Sequence, residues 1–280
     1  MSSSPGRSPR RRRAALPRVR AREAFTGQRL VVVGRGRLGR SLAAALEAEL
    51  VPGRGGPREF PGALVLLAVS DPAIAGVARE VTGADAVVHV AGSLGLDVLE
   101  PHPRRGSFHP YQSFPIERGP EAFAGSLVAI DASDRDLLED LERMARSLGA
   151  TTRRVTDADR ILYHASAALA SNMVVALAHR GEEVLRALGW SRDEALTAIV
   201  PLMTGVVANL GRVGLPDALI GPIRRGDAGT VRRHLTAFEQ RGLTEQARIY
   251  RILGLAALEL AIEAGLDAGA AAELNAALTA

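Results

Sequence analysis

The 280-residue chain contains no cysteine and no lysine. Without cysteine, disulfides, thiolate metal sites and cysteine nucleophiles are all excluded. Without lysine, the chain has no Schiff-base former, no lysine general acid and no phosphate-gripping lysine of the Walker type. Every one of its 35 basic residues is arginine. No uninterrupted apolar run approaches the ~20 residues that a membrane helix needs, so no span is expected. The six histidines include no H-E-x-x-H pair and no ligand cluster, so no metal is expected either.

What is present is unevenly spread. Residues 1–28 hold eight arginines and one glutamate, a local charge of +7, leaving −3 for the rest of a chain whose total is +4. This segment is rich in Ser and Pro and has no apolar period, so it reads as a disordered basic tail. Its apolar stretch, Ala14-Ala15-Leu16, is too short for a secretory signal, which makes the cytoplasm the expected compartment. Arg10 to Arg13 could attract nucleic acid electrostatically, but an unselected solvated tail is the simpler reading.

From Arg29 onward short β-branched runs alternate with helical spacing. Leu30–Val33, Ala63–Val69, Val87–Val90, Ser107–Pro110 and Leu127–Ile130 read as strands, with a further short one ending near Val51. Residues 52–61 hold six Gly or Pro, too many for a crossover helix. Asp71-Pro72, Ser133-x-x-Asp136 and Ser191-x-x-Glu194 mark helix starts. After about Thr156 only helical spacing remains, including a long alanine-rich stretch from Asp159 to Leu188. The pattern predicts an α/β parallel-sheet domain at 29–155 and an all-α domain at 156–280.

Gly34-Arg35-Gly36-Arg37-Leu38-Gly39 is G-x-G-x-x-G directly after a strand and at the opening of a helix. Its first glycine permits the tight turn, its second the approach of a pyrophosphate, and its third close helix–strand packing. An acid after the second strand would indicate NAD. Here Val51 is followed instead by Arg54 and Arg58, whose planar forks suit a 2′-phosphate, so NADP is expected, with Glu59 leaving NAD open.

Several segments occur in an order that resembles one family: Val33–Gly39, Leu66–Asp71, Val88–Gly95, Gly106–Phe114, Tyr163–Asn172 and Gly221–Asp227. The chain is similar to bacterial Rossmann-like oxidoreductases whose C-terminal helical domain has no known function. In plan these resemble pyrroline-5-carboxylate reductase, prephenate dehydrogenase and ketopantoate reductase. The resemblance implies a Rossmann-type sheet followed by a helical domain of the 6-phosphogluconate dehydrogenase C-terminal type. It also implies cofactor contacts from Val69 and Ser70, and reduction of a 2-oxo acid such as ketopantoate. The shortened stretch 52–61 departs from the family pattern.

His109 ends a strand, where open α/β sheets bind ligands, and its imidazolium could give a proton to a nascent alkoxide. The segment also resembles the His-Pro motif of prephenate dehydrogenases. Ser93 could donate to the same oxygen. His164, Ser171 and Asn172 share one helix face. Hydroxyacid dehydrogenases hold their substrate with a lysine and an asparagine on the equivalent helix; this chain lacks the lysine, Asn172 joins the catalytic candidates, and His164 and Ser171 are candidates for substrate binding. Arg225, on a turn before a helix, could fork a substrate carboxylate. A homodimer through the apolar helices is expected. Imine reduction and a non-catalytic dinucleotide sensor are the competing functions.

Overall fold

The computed structural model describes residues 28–116 and 118–280. The basic tail therefore lies outside the described residues, apart from Gln28. The chain divides into two compact units, the first ending at Ser171 and the second covering Asn172–Ala280.

The first unit is a mostly parallel sheet flanked by helices. Its elements are β1 (Leu30–Val33), α1 (Arg37–Leu46), β2 (Glu49–Val51), β3 (Arg58–Glu59), β4 (Leu64–Leu67), α2 (Asp71–Glu80), β5 (Val81–Thr82) and β6 (Ala86–His89). They continue with β7 (Arg105–Pro110), β8 (Leu127–Ala132), α3 (Arg135–Ser147), β9 (Thr151–Arg154) and α4 (Asp157–Ala170). The main sheet runs β2-β1-β4-β6-β7-β8-β9. Strands β2 through β7 are parallel, β8 is antiparallel to β7, and β9 is parallel to β8. From β1 the chain goes to one side, and from β4 to the other. The strand order thus reverses between β1 and β4, which is where such sheets bind ligands beyond their carboxyl ends.

Strands β1, β4 and β6 are buried on both faces, which is why they read as unbroken apolar runs rather than as alternation. Residues 52–61 carry no helix, as expected from their glycine and proline content. Instead β3 pairs with β5 as a separate two-stranded ribbon. Two caps lie one residue from their expected places. Asp134, not Ser133, caps α3 by accepting from the Leu137 amide, and Ser70 rather than Asp71 occupies the N-cap position of α2. After Gly92 the chain forms a single 3-10 turn, Leu96–Leu99.

The second unit is helical: α5 (Asn172–Arg186), α6 (Arg192–Val213), α7 (Ala228–Gln240), α8 (Thr244–Glu263) and α9 (Ala268–Thr279). The stretch expected as one helix from Asp159 is broken at Ser171. The Ser191–Glu194 capping box forms as read. Helices α7, α8 and α9 pack around Val231, Leu258, Ala261 and Leu274.

Helices α5 and α6 differ from these. Among their large apolar side chains, Met173, Val175, Val200, Leu202, Val206 and Val207 are all more than half exposed. Two stretches, 157–186 and 192–213, are long and apolar enough to cross a membrane by length and composition, and the most apolar window of each has no buried residue. The expectation drawn from unbroken runs alone missed them. Polar residues, such as His164 and Asn172 in the first stretch and Thr204 and Asn209 in the second, interrupt the apolar runs, yet each stretch keeps a window apolar enough to span.

Candidate active site

The turn Gly34–Gly39 joins β1 to α1, and its three glycines fall into two kinds. At Gly34, with φ of +127°, a Cβ would stand 2.2 Å from the carbonyl oxygen of Ala68. At Gly39 it would stand 2.0 Å from the carbonyl oxygen of Gly34. These two positions are closed by the protein itself. At Gly36 a Cβ would meet nothing within 4 Å, so this glycine faces open space at the N-terminus of α1. The first turn of that helix has no acidic residue. Bare backbone at a positive helix end suits a pyrophosphate.

The surroundings extend this cradle. A Cβ on Gly53, in the loop after β2, would lie 2.7 Å from Val69 Cγ1, so that loop packs directly on the residues following β4. Arg35 and Arg37 are exposed, while Leu38 packs into the core. Both terminal nitrogens of Arg58 are shielded from solvent and have no hydrogen-bond partner among the described residues. Arg54 is exposed on the same loop.

The second half of the site is built by α4 against the ends of β6 and β7. Asp157, Arg160 and His164 lie at i, i+3 and i+7, on one helical face, with Tyr163 beside them. Asp157 Oδ2 accepts from the Leu96 amide at 3.3 Å. Arg160 is 1% exposed and donates through Nη2 to Ser107 Oγ at 2.7 Å and to the Val155 carbonyl at 2.9 Å. His109 Nδ1 lies 2.8 Å from the Tyr163 hydroxyl. These bonds explain why α4 belongs to the first unit although its spacing resembles that of the helices beyond it.

His109 Nε2 and His164 Nδ1 converge on one spot. A Cβ on Gly92 would stand 2.5 Å from His164 Nδ1 and 2.8 Å from His109 Nε2, so both imidazoles rest on the bare α-carbon. Burial, together with the nearby His164, Arg160 and His89, holds His109 down to about 4. At neutral pH this ring is therefore uncharged. The imidazolium acid expected from the ordinary histidine value is not the species that this environment stabilises.

His89 was given no role by sequence reasoning. It is fully buried at the end of β6, accepts from the Ala91 amide at Nδ1 and donates from Nε2 to the Gly95 carbonyl at 3.2 Å. It braces the turn that carries Gly92, and burial, with Arg160 next, lowers it to about 4. Both His89 and His109 stay neutral in the fold over a range where the unfolded chain, with histidine near 6.5, binds protons. Unfolded chains thus take up more protons between those values. Stability should fall as pH drops through that window, by about 1.4 kcal/mol per pH unit for each histidine. Urea midpoints should hold above pH 7 and decline toward pH 5. A midpoint constant across that interval would contradict neutral burial of these rings.

The remaining candidates are distributed. Ser93 Oγ donates to Asp71 Oδ2 at 3.3 Å, so its hydroxyl ties the turn to the start of α2. Ser171 Oγ bonds back to the Ala167 carbonyl at 2.7 Å. Asn172 opens α5 in the second unit. Arg225 is exposed on the turn before α7, where Asp227 serves as N-cap by accepting from the Thr230 amide. No group of three or more potential metal ligands occurs among the described residues.

Residues 126–257 match the profile of a family described as "Domain of unknown function (DUF2520)". No curated protein matches the chain. Among solved structures, the fold is similar to that of a protein classed as an NADP oxidoreductase from Bacteroides fragilis (23% identity, TM-score 0.65, covering 83% of this chain and 98% of that one). It is also similar to a Thermotoga maritima protein (26% identity, TM-score 0.64, covering 75% and 90%). A third similar structure is pyrroline carboxylate reductase from Plasmodium falciparum with NADP bound (13% identity, TM-score 0.52, covering 90% and 99%). The chain therefore has the fold of NAD(P)-dependent oxidoreductases: a Rossmann-like sheet followed by a helical region.

Proposed function

We propose that this protein is an NADPH-dependent reductase of a small carbonyl compound bearing a carboxylate, a 2-oxo acid of the ketopantoate type. The observation that carries this reading is one juxtaposition within the first unit. A glycine turn shaped for pyrophosphate follows β1, and two imidazoles converge over Gly92 after β6, so both lie on the carboxyl-end side of one parallel sheet with β4 between them. A bound nicotinamide cofactor supplies the hydride. The turn and the α1 N-terminus hold the pyrophosphate, with Val69 and Ser70 bordering it. His109 and His164 meet the substrate oxygen over Gly92. Ser171, in the same unit, is assigned to the substrate's polar groups.

The test is NADPH oxidation by the purified protein against a panel of 2-oxo acids and cyclic imines. Turnover of a 2-oxo acid is expected. Turnover of imines alone would reassign the substrate class, and no turnover with either would overturn the reductase reading.

NADPH rather than NADH is the proposed cofactor, with Arg58 as the stronger anion ligand and Arg54 as its exposed companion. Shielded guanidinium nitrogens without an acceptor match a phosphate, and a charge-assisted bond of this kind contributes about 1.5–3 kcal/mol. Arg58→Ala should weaken NADPH binding about 10–100-fold and leave NADH binding nearly unchanged in a fluorescence titration. Equal losses for both cofactors would remove Arg58 from the 2′-phosphate.

We further infer that the exposed apolar sides of α5 and α6 are covered by a second copy of the chain. On this reading the protein is soluble and cytoplasmic, and its activity involves neither membrane nor nucleic acid.

A further inference from the structure

Tyr163 lies 54 residues from His109 in sequence, yet its hydroxyl sits 2.8 Å from His109 Nδ1, and the two rings meet edge to face at 5.5 Å. A phenol carries one proton, and two acceptors compete for it: His109 Nδ1 and the His109 carbonyl at 3.4 Å. The β7–β8 ladder decides between them. Tyr111 donates to the Leu127 carbonyl and Ser133 to that of Arg105, and these bonds bracket the antiparallel pairing of His109 with Ala129. Hydrogen-bonded pairs alternate along such a ladder, so His109 and Ala129 exchange both backbone bonds. The carbonyl of His109 thus already accepts from Ala129, and 3.4 Å is the outer limit of a hydrogen bond. The hydroxyl proton therefore goes to Nδ1. Burial also pushes the Tyr163 phenol well above its ordinary range, so the proton is present at every physiological pH.

A ring that accepts at Nδ1 and is neutral carries its own proton on Nε2. That nitrogen rests over Gly92 beside His164 Nδ1. We propose that Tyr163 is a positioning residue that locks His109 in the Nε2–H tautomer, so that His109 meets the reacting oxygen as a neutral hydrogen-bond donor and not as an acid. Neutral imidazole serves in this way elsewhere as an electrophile towards a carbonyl. The proton stays on Nε2 as charge develops on the oxygen, and the hydrogen of the product hydroxyl comes from solvent. Among the described residues, the charged or titratable groups that act on the His109 ring are Arg160, His164, His89 and Tyr163. None of them is a carboxylate that would favour the imidazolium.

This inference rests on the reductase reading for its role in turnover, but the tautomer is measurable without substrate. Histidine-selective ¹⁵N labelling of the full chain should show, at pH 7, an unprotonated Nδ1 and a protonated Nε2 for His109. In Tyr163→Phe, which keeps the ring and its packing, the tautomer preference should weaken towards a mixture. The kcat should fall about 10–100-fold, with KM for NADPH within about twofold of wild type. An Nδ1–H tautomer in the wild type, or an unchanged tautomer and kcat in Tyr163→Phe, would overturn the proposal. The expected tautomer in a wild-type protein that reduces neither 2-oxo acids nor imines would sustain the lock and defeat the reductase reading instead.

Discussion

Gly36→Val should abolish dinucleotide binding in a protein that remains folded. The backbone at Gly36, φ −68° and ψ 173°, is ordinary extended chain that valine adopts readily. A Cβ placed there meets no protein atom, so thermal stability should stay within about 1 kcal/mol of wild type. The added methyl groups would nevertheless stand in the space where the pyrophosphate approaches the α1 N-terminus. NADPH affinity should drop by more than about 100-fold, because the lost contacts are charge-assisted and the ligand cannot shift away from a rigid turn. Gly34→Ala and Gly39→Ala should behave differently. Each drives a Cβ into a backbone carbonyl, and so each should lower stability before any question of ligand arises. Retained NADPH binding in Gly36→Val would place the cofactor elsewhere.

The paired substitution Leu202→Arg and Val206→Arg should convert a dimer into a monomer. The two residues lie at i and i+4 on one face of α6, 69% and 53% exposed. Burying such side chains contributes about 1.5–3 kcal/mol apiece, and two guanidinium groups in their place would oppose association further. Light scattering of the wild type should give twice the 29.5 kDa chain mass at micromolar concentration. The variant should give the chain mass itself and gain solubility. A monomeric wild type would contradict the second copy. A wild type that stays in solution only with detergent would assign the same helices to lipid.

The parts legible in sequence are those dictated by local chemistry. The run Leu30–Val33 followed by Gly34 reads as strand and turn because burial on both faces and a tight turn leave no other composition. Ser191 and Glu194 close their capping box within four residues of each other, and the Gly and Pro content of 52–61 does exclude a helix. Strand β9 escaped notice because Thr151–Arg154 is an edge strand without an apolar face, and β3 and β5 are two residues each. The cap of α3 fell on Asp134 rather than Ser133, a choice that two adjacent capping residues leave to the incoming chain.

The site divides in the same way. The cofactor turn is contiguous and could be read directly. His109 was found by its place at a strand end, but its ionisation was not, since burial and neighbours contributed by β6 and α4 set it. Tyr163, Arg160 and His89 depend on how α4 docks against the β6 and β7 ends. Tyr163 next to His164, inside one of the segments that carried the family resemblance, was the available signal. An arginine one turn before it gave no local sign that it would be buried.

A fluorescence titration of NADPH into wild type and Gly36→Val, with each protein first shown to be folded by thermal denaturation, tests whether the first unit holds NADPH on the Gly34–Gly39 turn. Saturable binding of one NADPH per chain by the wild type and none by the variant is the predicted result. Absence of binding to the folded wild type, or equal binding by both proteins, would contradict it.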